Sequence, residues 1–372
     1  MVQKVCVVFR FLERYRPMHL VRIEHLTRYC DYEIICIKVN ENDKDVYERH
    51  ANFRMFSINE DNLVHLLDNI NPDVIITNGY ADLPMRQSAI WAKRNNKLSI
   101  LMSDTQYIDR PRNWLKEKIK SYFINKYFNS AFVSGVRAEE YLKRLGVTAS
   151  RIWRGYDVVD NKYFEERAKE IRQDEANWRN KFGLPEKYFL FVGRFSLEKN
   201  LFTLLRAYKR YREEYKDSWG LVLVGSGPQE EELKNFVVKE NLKEIVFPGF
   251  KQIDELPYYY ALASSFILPS VSETWGLPVN EAMASGLPVL VSESCGCVPE
   301  LVYPGINGYI FNPFNVEEIV YYMNRISSGE VDLKSMGEAS KKIISNFTPE
   351  TWAKALKDCI VVTSSFLSPC IQ

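Results

Sequence analysis

Two glutamates eight residues apart, Glu273 and Glu281, bracket a Gly276-Leu277-Pro278 core in which Pro278 can open a helix that Gly286 closes. That pattern leaves Glu273 in a loop and sets Glu281 about one turn into the helix, with both expected to face one crevice. Two carboxylates there can accept hydrogen bonds from the hydroxyls of a neutral polyol. The Gly276 and Leu277 amides, at the helix start, can meet a phosphate. The plainer alternative is a helix whose first-turn acid complements its own dipole. A second set carries the opposite charge. Gly193-Arg194 and Glu198-Lys199-Asn200 lie between an apolar run at 188–192 and a helical run at 201–211. Arg194 and Lys199 therefore sit at a strand's carboxyl end beside a helix N-terminus, with Asn200 as its expected N-cap. Two cations so placed suit a di-anionic phosphate or pyrophosphate, although ordinary solvated lysines and arginines can share that spacing. Gly225-Ser226-Gly227-Pro228 permits either close approach of a ligand to backbone or a plain tight turn. No Gly-Lys-Ser/Thr follows, and the dinucleotide fingerprint is not met.

These turns need strands before them and helices after them. Short apolar runs at 4–9, 33–37, 74–77, 98–102 and 130–133 predict strands in the first half, with amphipathic helices such as 19–29 and 83–95 between them. The rhythm restarts at 188–192, 221–224, 245–247, 265–268 and 288–291. Strands separated by helices imply right-handed crossovers and parallel sheets, whose ligands sit beyond the strands' carboxyl ends. The charged helical stretch 164–180 reads as the connection between two doubly wound domains, and 372 residues suffice for two.

The formal net charge is only +1, which counts against a dedicated nucleic-acid binder, yet residues 1–160 carry +5 and the remainder −4. No apolar run approaches a membrane-spanning helix, and the N-terminal run reads as a buried strand rather than a leader. Seven scattered cysteines complete no zinc signature and read as free thiols of a reduced, cytoplasmic protein. Asp43-Lys44-Asp45 resembles a metal-binding Asp-x-Asp, but its charged surroundings read as a solvated loop.

Taken together, Gly193-Arg194, Glu198-Lys199-Asn200, Gly225-Ser226-Gly227-Pro228, Pro248-Gly249-Phe250 and Glu273-x7-Glu281 resemble the family 4 retaining glycosyltransferases. Ser285-Gly286-Leu287-Pro288-Val289 and Gly305-Ile306-Asn307-Gly308-Tyr309 look like that family's later landmarks, in order. The resemblance is close over about 185–325 and loose before it. It implies an α/β GT-B fold: two Rossmann-like doubly wound domains facing across a cleft, with the C-terminal helix crossing back to the first. The expected division is 1–165 with about 350–372 for the acceptor-side domain, and 166–349 for the donor-binding domain. Position by position, it implies that Arg194 and Lys199 neutralise the donor's diphosphate and that Glu273 holds hydroxyls of the transferred sugar. Gly193, Gly225 and Gly227 would line the donor site. Gly276 and Leu277 would give amides to sugar or phosphate, Glu281 would bind the ribose, and Phe250 and Lys251 would border the base. The implied reaction moves a hexose from a UDP-sugar, favoured over a GDP-sugar, to a glycan, lipid-linked or small-molecule acceptor. It retains configuration and needs no metal and no cofactor besides the donor.

The first half departs from the pattern. The turn after the first strand, 10–19, has no glycine, and Ser103-Asp104 stands where many relatives have a cleft histidine. His19 is expected to pack on its helix. Tyr15, Arg16, Gly79, Tyr80, Ser103 and Asp104 are the acceptor-side candidates, from their places after strands. Residues 110–154 carry a net +8 interleaved with Trp114, Tyr122, Phe123, Tyr127 and Phe128. That suits peripheral docking on an anionic inner membrane face, or equally a helix with a basic solvated side and an aromatic core side. Two rivals share these residues: a non-catalytic sugar-nucleotide-binding subunit, and a sugar-nucleotide epimerase.

Overall fold

The computed structural model describes residues 2, 4–10, 18–40, 46–49 and 52–365. Two compact units divide them, one of Met1–Tyr107, Pro111–Val158 and Phe347–Gln372, the other of Ile108–Arg110 and Val159–Asn346.

The first unit runs β1 (Lys4–Arg10), α1 (Met18–Tyr29), β2 (Glu33–Asn40), β3 (Val46–Arg49), β4 (Arg54–Asn59), α2 (Leu63–Ile70), β5 (Val74–Asn78), α3 (Leu83–Arg94), β6 (Leu98–Ser103), α4 (Trp114–Tyr127), β7 (Ser130–Val133), α5 (Val136–Arg144) and β8 (Ile152–Arg154). They form one sheet in the order β3-β4-β2-β1-β5-β6-β7-β8, parallel except for β3. Strand β1 shows why both faces are covered. Val5, Val7 and Phe9 enter a core with Ile23 and Leu26 of α1, while Cys6 and Val8 enter another with Leu63, Leu67 and Met85.

In the second unit the order of elements is α6 (Asn161–Ile171), α7 (Glu175–Phe182), β9 (Tyr188–Val192), α8 (Leu201–Glu214), β10 (Gly220–Val224), α9 (Glu230–Lys239), β11 (Ile245–Gly249), α10 (Leu256–Leu262), β12 (Ser265–Leu268), α11 (Leu277–Ala284), β13 (Val289–Ser292), α12 (Val298–Leu301), β14 (Gly308–Phe311), α13 (Val316–Ser327) and α14 (Leu333–Ile344). Its sheet is wholly parallel, β11-β10-β9-β12-β13-β14. The last helix, α15 (Pro349–Ser365), packs on α1 of the first unit through Trp352, Leu356 and Ile360.

Three differences from the sequence reading have physical causes. The division falls at Val158/Val159 rather than at 165. The stretch 164–180 is not a bare connection: Phe164, Ala168 and Ile171 form a buried stripe on α6, and Arg172 donates to the carbonyls of Ala261 at 2.9 Å and Ser285 at 2.8 Å. Strands β3, β4, β8 and β14 lie at or next to the sheet edges and were not expected, since each is short or mixed in polarity and none carries a long apolar run.

Candidate active site

Strand order locates the site of the second unit. From β9 the chain winds through β10 to β11 at one edge, then crosses back so that β12 pairs with the other side of β9. The loops after β9 and β12 therefore diverge at the switch point of the sheet, where such folds open a crevice at the strands' carboxyl ends. The first carries Arg194 and Lys199, and the second carries Glu273.

Across that point Lys199 and Glu273 form an ion pair, with the two side chains 17% and 16% exposed. Burial pulls the Lys199 pKa down, but the Glu273 carboxylate and its hydrogen bond outweigh that, leaving it above its ordinary value. The ammonium is thus charged at neutral pH. Glu198 is opposed by burial too. The Ser196 hydroxyl, its own backbone amide, Lys199 and Arg194 overcome it and hold the carboxyl below its ordinary value. Arg194 is exposed beside them.

Backbone and amide bonds fix the two loops to each other. Val271 N–H donates to the Glu198 carbonyl at 2.9 Å. Asn200 holds the N-cap position expected of it, but not through a side-chain cap bond. It has a left-handed backbone, φ 57°, makes no side-chain cap bond, and gives its amide to the carbonyls of Pro269 at 3.2 Å and Pro313 at 2.8 Å. Its Oδ1 accepts from Thr203 at 2.8 Å. It acts as a staple between loops, a role that local sequence does not disclose.

Gly276 precedes α11 with φ 113°, a conformation open to glycine and strained for other residues. The Leu277 amide begins the helix, in the turn whose N–H groups have no intrahelical acceptor. Trp275, buried, donates from Nε1 to Asn280 Oδ1 at 3.0 Å and ties the loop to the helix it feeds. On the other side of the loop Gly296 and Cys297 donate to the carbonyls of Glu273 (3.0 Å) and Trp275 (3.1 Å). The backbone of Cys295-Gly296-Cys297, rather than its thiols, is what holds the Glu273 loop.

The glycine turns are explained by backbone contact. A Cβ on Gly225 would lie 1.9 Å from the Gly193 carbonyl oxygen, and one on Gly227 would lie 2.4 Å from that of Phe195. The turns after β9 and β10 are pressed together, with Gly193 N–H on the Val224 carbonyl at 3.0 Å and Phe195 N–H on that of Ser226 at 2.9 Å. Beyond β11, Phe250 is exposed, and Lys251 reaches Glu255 at 3.2 Å and lies near the Tyr259 ring.

Glu281 differs most from expectation. It is 1% exposed, and its Oε2 accepts from the buried Tyr260 hydroxyl at 2.7 Å. The sequence reading placed it at the crevice surface beside Glu273. In this structure α11 carries it inward, toward α10. Tyr260 was missed, because no periodicity links a tyrosine in one helix to a glutamate in another.

In the first unit, Tyr15 and Arg16 lie outside the described residues, as does Asp43-Lys44-Asp45. Gly79 follows β5 with φ 92° and donates to the Met102 carbonyl at 2.9 Å, which pins that turn to β6. Tyr80 is partly buried against the α3–α5 core, and Arg86 donates to its carbonyl at 3.1 Å. Ser103 is buried at the end of β6, its Oγ accepting from Thr105 N–H at 3.3 Å, and Asp104 follows it, partly exposed. His19 packs against Phe9, ring centroids 4.9 Å apart and the rings tilted by 44°. Burial, with Arg22 nearby, pushes its pKa down to about 3, so it is neutral. The six described cysteines are free and buried. Among the described residues no helix is long and apolar enough to cross a membrane.

Residues 173–343 match the model of the family described as Glycosyl transferases group 1. That segment contains the whole sheet of the second unit and its switch point. The fold that these two units share with solved structures is the GT-B architecture of two Rossmann-like domains. The chain is 31% identical to the sulfoquinovosyl transferase SQD2 of Arabidopsis thaliana over 239 residues, 62% of this chain and 44% of that protein. It spans under half the length of the curated relatives it first matches. Sucrose-phosphate synthase from Thermosynechococcus elongatus superposes with a TM-score of 0.76 at 18% identity, covering 98% of this chain and 100% of that one. Anabaena HepE in complex with UDP superposes at 0.75 and 16% identity, over 97% and 100%. At those identities the structural likeness bears on fold alone.

Proposed function

We propose that this protein is a metal-independent retaining glycosyltransferase that moves a hexose from a UDP-sugar, or a GDP-sugar, to a glycan, lipid-linked or small-molecule acceptor. The single observation that carries the reading is the Lys199–Glu273 ion pair at the switch point of the second sheet. A cation and a carboxylate held together there match the two needs of a nucleotide sugar, a dianionic diphosphate and a polyol. As the glycosidic bond breaks, negative charge gathers on the departing diphosphate oxygen. Lys199 and Arg194 are fixed cations that stabilise that charge in place of a divalent ion. Glu273 accepts hydroxyls of the transferred sugar, and the Gly276 and Leu277 amides serve sugar or phosphate. Phe250 and Lys251 are assigned the base. The glycosyltransferase likeness of residues 173–343 and the UDP complex of HepE support a nucleotide-sugar donor. Nothing in this reading requires a prosthetic group. It puts the protein in the cytoplasm, with Gly79, Tyr80, Ser103 and Asp104 on the acceptor side and the basic stretch 110–154 available to a membrane face.

A panel of nucleotide sugars, with and without lipid or glycan acceptors, tests the proposal through release of nucleoside diphosphate. Acceptor-dependent release from one donor, with unchanged anomeric configuration in the product, is the expected result. Tight donor binding without turnover refutes it in favour of a binding subunit. Conversion of the donor to an isomeric sugar without an acceptor refutes it in favour of an epimerase.

A further inference from the structure

Helix α4 has two apolar faces and a core for only one of them. Ile124 is buried and Phe123 packs beside it, against Ala89, Phe128 and Tyr141. At 100° per residue, Trp114, Lys118, Tyr122, Leu115, Lys126 and Ile119 fall within one arc on another side. The four apolar members of that arc are exposed by 68% (Trp114), 63% (Tyr122), 52% (Leu115) and 61% (Ile119). A contiguous stripe of that kind on a helix already anchored by another face marks an interaction surface.

We propose that this face of α4 docks the protein on an anionic lipid bilayer. It deepens the membrane side of the functional reading above by naming the element and the lipid charge. The side chains favour a bilayer. Trp and Tyr are suited to the boundary between headgroups and acyl chains, and lysines can lay their stems on apolar surface with the ammonium among phosphates. Lys118 lies over the Trp114 ring at 4.9 Å, and Lys126 reaches the Tyr122 hydroxyl at 2.8 Å, so the cations already lie against the aromatic groups. Lys116, also exposed, flanks the arc. At the C-terminal end of the helix an open hollow of about 380 Å³ is lined in part by Lys93, Lys126 and Arg151, which suits a headgroup phosphate. A second copy of the chain is a poorer occupant, because a two-fold pairing brings together two faces that carry the same lysines and no carboxylate within the arc to offset them.

Sedimentation of the full chain with vesicles tests the inference. We expect it to pellet with vesicles of phosphatidylcholine mixed with phosphatidylglycerol and not with phosphatidylcholine alone, and to be released by salt. Lys118→Gln with Lys126→Gln is expected to weaken partitioning roughly 30-fold, from two surface cations at the usual contribution of each. Trp114→Ala with Ile119→Ser should also weaken it while leaving UDP binding and the melting temperature unchanged, since both side chains face solvent. Equal pelleting with neutral vesicles, no pelleting with anionic ones, or unchanged partitioning of either double variant overturns the inference. So does a dimer that Trp114→Ala with Ile119→Ser dissolves, which would give the face to a second copy. None of these readouts needs turnover, so failure here leaves the transferase proposal standing, and failure of that proposal leaves this one testable.

Discussion

Replacing Lys199 by Met keeps most of the side chain's bulk and removes its charge, which separates the two roles assigned to it. The first role is structural. With partners 17% and 16% exposed, the Lys199–Glu273 pair lies between a surface pair, at about 0–1 kcal/mol, and a buried one, whose breakage costs about 3–5 kcal/mol. About 2 kcal/mol is therefore expected, or a fall in Tm of roughly 4–8 °C for a unit of this size. Glu273→Gln should cost about as much, and the double variant little more than either, giving a coupling of about 2 kcal/mol. The sign of the pH dependence follows from Lys199, whose pKa is higher in the folded protein than in the unfolded chain. Its contribution is complete below about 10.4 and is lost as pH rises through the folded value. The stability gap between wild type and Lys199→Met should therefore be flat from pH 7 to about 9 and close in strong alkali. The second role, on the proposed function, is catalytic. Loss of one fixed charge at a developing oxyanion typically costs about 10²–10³ in turnover. Stopped-time release of nucleoside diphosphate from the preferred donor measures it, with Lys199→Arg as the charged control. Wild-type turnover in Lys199→Met, with the folded state intact, would refute the leaving-group role. Additive stabilities in the double-variant cycle would refute the pairing.

Three other perturbations probe the site and its support. Gly225→Ala should destabilise the second unit by more than about 3 kcal/mol in chemical denaturation, because its Cβ would lie 1.9 Å from the Gly193 carbonyl and the backbone there has φ 142°; a cost below about 1 kcal/mol would show that the two turns yield. Glu273→Gln should bind UDP more tightly in calorimetry, by roughly 5–30-fold, since a carboxylate that opposes the diphosphate becomes neutral, while transfer falls. Weaker UDP binding would place the diphosphate away from this pair. His19, at about 3 when folded against about 6.5 unfolded, binds its proton more readily in the unfolded chain. The first unit should lose up to about 1.4 kcal/mol per pH unit from this residue as pH falls from 6.5 toward 3, a slope that His19→Gln removes.

Much of the fold could be read in advance because buried parallel strands are written as apolar runs, and β7, β9 and β12 begin and end where those runs do. The edges could not, since β3 and β14 owe their pairing to β4 and β13 rather than to their own composition. The same contrast holds at the site. Lys199 and Glu273 were legible as chemistry from their turns, but their meeting depends on the crossover from β11 to β12. Asn200 and Glu281 were placed from local rules, as a cap and as a crevice residue. Tertiary partners add what those rules omit: Asn200 keeps the cap position but gives its amide to the carbonyls of Pro269 and Pro313, and Tyr260 takes Glu281.

On the proposed function, the resting site also explains how a chain can hold cations ready for a diphosphate without destabilising its ligand-free state. Like charges gathered at the ends of neighbouring strands repel, and a half-buried ammonium is costly unless it is paired. Here each cation-bearing turn supplies or faces a carboxylate, with Glu198 beside Arg194 and Lys199, and Glu273 on Lys199 across the switch point. Lys199 is charged and held by Glu273 before any donor arrives, so little reorganisation of it is left to the moment of bond cleavage. A diphosphate entering the crevice competes with Glu273 for the same ammonium. The carboxylate it displaces is then free to accept from the sugar hydroxyls that arrive with it. On this logic the acid and the base at the switch point are one device, and changing either alters both diphosphate affinity and sugar placement.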